Sequence, residues 1–235
     1  NKQTIQGIIE NSIGRITGDL KVKINGSGRT DAGVHAIGQV GNFFSKSSIP
    51  IDKWPYILNQ QLPKDIRIKY AKEVDMKFHA RYSAKSKIYK YLIINRNYGE
   101  RVFSAKHIFL RNYCYFVNKP LDVEKMRKVA HYLIGCHDFT ALSCFNQKAN
   151  QRSKNKIRNI KRIRVTQKDQ FICITFEANA FLYKMVRIIV GTLIDFSIQN
   201  REPKDILAIL KNKDNQESGE VIPPNGLYLI KVRYR

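Results

Sequence analysis

RIRVTQKDQFICITFEANAFLYKMVRIIVGTLIDF (Arg162–Phe196) sets two strands and a helix in succession. Arg162–Thr166 and Phe171–Glu177 alternate apolar with polar residues, the period of a half-buried strand, and the polar Gln167–Gln170 between them supplies a turn. Together they predict an antiparallel hairpin. The period then changes. Apolar residues of Phe181–Phe196 cover most of a helical circumference, which predicts a buried helix. A hairpin followed by such a helix belongs to an α+β arrangement, with antiparallel strands covered by helices on one face.

Outward from this segment the same two periods recur. Thr4–Arg15 spaces Ile5, Ile8, Ile9 and Ile13 at helical intervals behind a Thr4 N-cap. Leu20–Ile24 and Gln39–Phe44 read as strands flanking a glycine-rich loop, and Asp52–Leu62 as a short helix stopped by Pro63. Alternating Ile66, Ile68 and Tyr70, and then Ile88–Asn95, give two more strands. Leu121–Ile134 reads as a helix closing at Gly135, Pro203–Lys211 as a short helix with proline near its start, and Leu227–Tyr234 as a last strand. The order predicts two helix-plus-sheet halves, residues 1–80 and 81–235, joined within Phe78–Ala84.

The 235 residues carry 42 Lys and Arg against 19 Asp and Glu, a formal net charge of +23, with 43% hydrophobic and 11% aromatic residues. That apolar content suffices for a packed core and excludes a disordered chain. No stretch reaches the roughly 18 continuous apolar residues of a membrane helix, so a soluble protein with no membrane partner is expected. The basic excess is spread along the chain and makes a polyanion partner the first expectation, with nucleic acid favoured over a merely solvated charged face. It is densest in Asn146–Arg164, which has eight Lys and Arg and no acid. Neither C2H2 finger spacing nor an RRM signature is present, so charge alone leaves DNA and RNA open. Cys114, Cys136, Cys144 and Cys173 show no C-x-x-C pair or disulfide-framework spacing, and the start shows no signal peptide. Reduced thiols and a cytoplasmic location are expected.

GSGRTDAGVHA (Gly26–Ala36) is the loop most able to carry chemistry. A phosphate-loop reading fails on spacing, because Asp31 stands where the last glycine of G-x-G-x-x-G belongs and Val34 follows Gly33 where a P-loop needs lysine. Instead, Gly26, Gly28 and Gly33 are expected to adopt positive φ and let the backbone approach a ligand, displaying Arg29 and Asp31. The alternative is an ordinary strand–turn–strand with an exposed Asx turn at Asp31.

Arg187 weighs toward a site. Its guanidinium lies inside the apolar helix, where burial costs several kcal/mol, on the order of the penalty for an unpaired ion, unless an acid meets it. Asp31 is the partner chosen, since a carboxylate beside a buried arginine stays ionised and oriented for nucleophilic or base work. Arg187 reaching the surface, or pairing with Glu177, is the alternative. The five histidines show no metal-ligand spacing, so no metal site is expected.

GSGRTDAGVHAIGQV (Gly26–Val40) resembles the signature of the TruA-type tRNA pseudouridine synthases. FHARYSA (Phe78–Ala84), KIYKY (Lys87–Tyr91), HDFTA (His137–Ala141), ANAFLYKMVRIIVGTLI (Ala178–Ile194) and PPNGLYL (Pro223–Leu229) resemble further blocks of that family, in family order. Five or six blocks in order make coincidence implausible. The resemblance spans Thr4 to Tyr234.

It implies the pseudouridine-synthase fold, with mixed or antiparallel sheets and two similar halves around a central cleft. The implied activity is isomerisation of uridine to pseudouridine at positions 38, 39 and 40 in the anticodon stem-loop of tRNA, with neither metal nor organic cofactor, by a homodimer. The match makes Asp31 the catalytic aspartate, with Arg187 as its cation. It makes Tyr89 the active-site tyrosine, whose ring stacks on the target base; without the match Tyr89 reads as a core aromatic. Arg29 matches the arginine that enters the place of the flipped base. Phe78, His79, Ala80, Arg81 and Tyr82 fall on one tRNA-contacting block, and Gln151, Arg152, Ser153 and Lys154 on another.

The sequence departs from the family in three ways. The opening strand and D-G-x-x-F-x-G-W-Q block are missing and the chain begins with Asn1, so the native start is expected to lie outside this sequence. Ser27 replaces the commoner alanine. Leu142 and Ser143 stand where the family often has Phe-Arg, and the basic loop that follows is longer. The rival readings are a non-catalytic RNA-binding protein that keeps the fold and charge, and a DNA-binding regulator, for which no recognition helix is found.

Overall fold

A computed structural model describes residues 3–95, 105–144, 155–214 and 216–234. In chain order its elements are α1 (Ile5–Thr17), β1 (Asn25–Gly26), β2 (His35–Ala36), β3 (Gly41–Asn42), α2 (Trp54–Gln61), β4 (Ser86–Asn95), α3 (Ala105–Leu110), β5 (Tyr115–Val117), α4 (Val123–Tyr132), β6 (Gly135–Asp138), β7 (Ile157–Lys168), β8 (Phe171–Ala178), α5 (Met185–Ile198), α6 (Ile206–Asn212) and β9 (Leu227–Arg233). They fall into two compact units. One comprises 1–29 and 39–84, the other 30–38 and 85–235.

In the first unit, α1 is capped by Thr4, whose hydroxyl accepts from the Gly7 N–H at 3.1 Å, and ends at Gly18 in the left-handed conformation. Its apolar face joins Trp54 and Leu58 of α2 in a core with Val22, Leu62 and Ile66. β1 and β3 form a two-stranded antiparallel ladder. The strands expected at Leu20–Ile24 and Ile66–Tyr70 are absent, because side chains take the backbone groups a neighbouring strand would take. Glu10 accepts from Ile24 N–H at 2.9 Å. Asn59 brackets Ile68, accepting from its N–H at 2.8 Å and donating to its carbonyl at 2.9 Å.

The second unit is built on a seven-stranded sheet, counted among the described residues, in the order β2-β9-β4-β8-β7-β6 with β5 also on β4. β2 with β9 and β4 with β5 are parallel and the other pairs antiparallel, so the sheet is mixed. The expected hairpin is present but longer. β7 takes in the end of the basic run, and the turn tightens around Asp169, at φ +51°. β6, which no alternation announced, extends the sheet beyond β7.

Tyr89, Tyr91 and Ile93 of β4 are buried, as are Ile172, Ile174 and Phe176 of β8, while Lys90 between them is exposed. α4 buries Val123, Met126, Val129 and Ala130 and packs on α5 and β7. α5 is buried along most of its length, as its composition requires. It starts at Met185 rather than Phe181, because Lys184 sits in the left-handed conformation at φ +58° and breaks the helical path.

Candidate active site

The base of the glycine-rich loop lies in the first unit. Ser27, fully buried, bonds Gln39 Oε1 through its hydroxyl at 2.5 Å, and Gln39 Nε2 donates to the Gly28 carbonyl at 2.9 Å. Arg29 is exposed. Of the three glycines expected at positive φ, only Gly33 is there, at +83°. Gly26 instead pairs with Gly41 in the β1–β3 ladder, which uses extended backbone.

From Thr30 onward the loop belongs to the second unit. Val34 N–H donates to the Asp31 carbonyl at 3.1 Å, closing a turn in which Gly33 takes the φ that the third position of a type II turn needs. Backbone rather than carboxylate closes this turn, so the Asp31 side chain is left to reach elsewhere. β2 then pairs with β9, and Ile37 N–H donates to the Leu229 carbonyl at 2.8 Å. On the adjacent β4–β9 ladder the register shifts between Ile88 and Tyr89. Such bulges re-aim side chains beside active sites.

Asp31, Arg187 and Tyr89 come together in this unit. Arg187, in the first turn of α5, donates from Nη1 to Asp31 Oδ2 at 2.8 Å and from Nε to the Ile222 carbonyl at 2.6 Å. The side chains are 11% and 25% exposed. Glu177, the alternative acid, is engaged by Ser86, Arg162 and Arg233. Tyr89 is buried and packs edge-on against Phe181, with ring centroids 5.1 Å apart. Burial pushes its phenol up to about 12, and the Asp31 charge acts in the same direction, so both place a neutral Tyr89 next to the carboxylate.

The second block of expected contacts lies in the first unit. Arg81 and Tyr82 are exposed, and the Arg81 guanidinium lies 5.7 Å from the Tyr82 ring centroid. His79 Nδ1 accepts from Arg81 N–H at 3.0 Å, and its ring packs on Tyr82 at 4.3 Å. Phe78 is partly buried. Ala80 is fully buried, its N–H donating to Asn42 Oδ1 at 2.8 Å. Gln151, Arg152, Ser153 and Lys154 lie outside the described residues.

His35 is held structurally, sandwiched between Tyr228 and Tyr113 with Nε2 2.8 Å from the Asn112 carbonyl. Among the described residues no group of three His, Cys, Asp or Glu converges for a metal ion. None of their helices is long and apolar enough to cross a membrane. Sequence reading missed the segment that supports the ion pair from below, Ile222 to Pro224. Its contributions are backbone carbonyls and a proline ring, and only the PPNG run hints at it.

A family model described as tRNA pseudouridine synthase matches residues 1–83 and 129–235. The chain is 45% identical over 235 residues to the tRNA pseudouridine synthase A of Thermoanaerobacter sp. (strain X514), an alignment covering 100% of this chain and 91% of that protein. It is 44% identical over 234 residues to the protein of the same name from Caldicellulosiruptor saccharolyticus, covering 100% and 91%. With that of Brevibacillus brevis it shares 41% over 231 residues, covering 98% and 90%.

Proposed function

This chain belongs to the tRNA pseudouridine synthase family, a family of isomerases, and we propose that it converts uridine to pseudouridine at positions 38, 39 and 40 of the tRNA anticodon stem-loop with Asp31 as the catalytic carboxylate. The observation that carries this reading is the Asp31–Arg187 ion pair beside a buried, neutral Tyr89. As an isomerisation the reaction balances within the substrate: the N1–C1′ bond breaks, C5 bonds to C1′, the C5 proton is lost and N1 gains one. Neither an electron acceptor nor a second substrate is needed.

Three first steps are open to a carboxylate in this position: attack on C6 of the base, attack on C1′ of the ribose, or removal of the 2′ proton to leave a glycal. Each ends with Asp31 uncharged, as an ester or as an acid. The part of the Tyr89 shift that comes from the Asp31 charge then disappears. Without that negative neighbour the Tyr89 phenol ionises more readily, and it is the ionised form that can take the C5 proton.

The uridine has to leave its stack, at a cost of a few kcal/mol by order of magnitude. In this reading Arg29 fills the vacated place, and the Tyr89 ring stacks on the extruded base. Phe78, His79, Arg81 and Tyr82 touch the RNA with Ala80 anchoring their segment, and Gln151, Arg152, Ser153 and Lys154 add a further contact. The net charge of +23 supports a polyanionic substrate. The same reading makes the active form a cytoplasmic homodimer.

The test is incubation with an unmodified tRNA transcript followed by position-resolved pseudouridine mapping. Wild type should modify the anticodon stem-loop. Asp31→Asn should lose nearly all product while its tRNA affinity stays within a few-fold; an Asp31→Asn protein that still converts uridine overturns the assignment.

A further inference from the structure

Arg187 and Asp31 are supported by successive residues of one short segment. The Ile222 carbonyl accepts from Arg187 Nε at 2.6 Å. A Cβ placed on Gly33 would lie 2.9 Å from Pro224 Cγ, so the Asp31 turn rests directly on that ring. Between these two residues, the Pro223 carbonyl accepts a hydrogen bond from the Tyr91 phenol at 2.7 Å. Pro223 and Pro224 have no N–H to donate, so they are fastened through their carbonyls: Pro224 accepts from the Leu227 N–H, and Pro223 from the Tyr91 phenol.

Tyr91 suits that task. It is fully buried on β4, two residues from Tyr89. The chain after Pro224 is seated on its ring: a Cβ on Gly226 would lie 2.8 Å from Tyr91 Cε1 and 2.7 Å from the Leu92 carbonyl. Burial pushes the phenol well above the ordinary tyrosine range, so it stays a donor at any working pH. The segment is also fastened on either side. Gly219 N–H donates to Thr192 Oγ1 at 2.9 Å, and Asn225 Nδ2 donates to the Arg111 and Cys114 carbonyls at 2.7 and 2.6 Å.

We propose that Tyr91 is a positioning residue: by holding the Pro223 carbonyl it sets Ile222 and Pro224, and through them the relative placement of Arg187 and Asp31. It touches no reacting atom. A misplacement of about 1 Å at a reacting group can cost on the order of a hundredfold in rate, so a loosened tether should cost about tenfold. The proposal rests on the pseudouridine synthase reading for its kinetic readout and on Arg187 itself for its structural one.

Tyr91→Phe keeps the ring and removes the donor. The single-turnover rate on a tRNA transcript should fall about tenfold with tRNA Kd within about twofold. The Arg187 Nε–H, followed by NMR, should exchange with solvent about tenfold faster while the backbone amides of β7 and β8 keep wild-type exchange, whereas a global loss of stability would speed them all. A folded Tyr91→Phe protein with the wild-type rate, or with wild-type Arg187 exchange, overturns the proposal. If Tyr91→Phe does not fold, Pro224→Ala decides from the other side: it should show the same rate loss at unchanged Kd, and a wild-type rate refutes the tether. A wild-type enzyme that makes no pseudouridine sinks the activity reading, whereas the exchange measurement still decides the tether.

Discussion

Arg187 and Asp31, 156 positions apart in the chain, are joined by an Nη1–Oδ2 hydrogen bond of 2.8 Å. A charge-assisted contact in a site mostly closed to water is strong and directional. The second Arg187 bond, from Nε to Ile222, fixes the plane of the guanidinium, so the carboxylate is aimed as well as neutralised.

Arg187→Lys keeps the charge and loses this fork. An ammonium cannot hold Asp31 and the Ile222 carbonyl in the same geometry. The rate of pseudouridine formation should drop by about a hundredfold or more, and urea unfolding should show a loss of about 1.5–3 kcal/mol. A lysine variant with wild-type rate and stability would mean that charge alone suffices.

Tyr89 makes stability fall at alkaline pH. The unfolded phenol releases its proton near its ordinary value of about 10, whereas the folded one holds it up to about 12 because of burial and Asp31. The unfolded state therefore binds fewer protons across that window, and stability drops by about 1.4 kcal/mol per pH unit within it. Tyr91 and Tyr228 are shifted in the same direction and steepen the fall. Urea midpoints measured from pH 9 to 12 should decline less steeply in Tyr89→Phe than in wild type; parallel curves would contradict the shift.

Alanine should cost more at Gly33 than at Gly26. At Gly33 alanine meets φ +83° and a Pro224 atom at 2.9 Å, so a loss of about 1–3 kcal/mol and a marked drop in turnover are expected. At Gly26 nothing lies within 4 Å and the backbone is extended, so Gly26→Ala should stay within about 1 kcal/mol of wild type. Thermal melts of the two variants side by side test the contrast.

Glu177 introduces an acid limit. Burial by itself would raise its carboxyl, but the Ser86 hydroxyl, Arg233 and Arg162 outweigh burial and the net shift is downward. A lowered folded-state value means the contribution is present above the ordinary carboxylate range and is lost as pH falls through that lowered value. Wild type should lose stability on acidification below about pH 4.5 more steeply than Glu177→Gln, as read from urea midpoints; equal acid sensitivity would count against the cluster.

The hairpin, α1 and α5 were legible because strand and helix periods are local consequences of which face is buried. Leu20–Ile24 and Ile66–Tyr70 carried the same alternation and formed no strand. There Val22 and Ile66 reach the core while Leu20 and Tyr70 stay exposed, and Glu10 and Asn59 claim the backbone groups. β6 went unseen because Gly135–Asp138 has too few apolar residues to set a period. At the site, a cation in an apolar helix required an acid in a chain poor in acids, which is why Asp31 could be singled out from sequence.

What sequence by itself determined is the chemistry on offer: a carboxylate heading a glycine turn, a guanidinium that an apolar helix cannot leave unpaired, and a positive charge suited to a polyanion. Tertiary structure decided which groups those side chains meet. Every residue carries a backbone carbonyl, and nothing in the letters distinguishes those of Ile222 and Pro223 from the rest. Only the packing of that segment against α5 and Tyr91 selects them, because a hydrogen bond depends on position and direction, which no single residue type encodes.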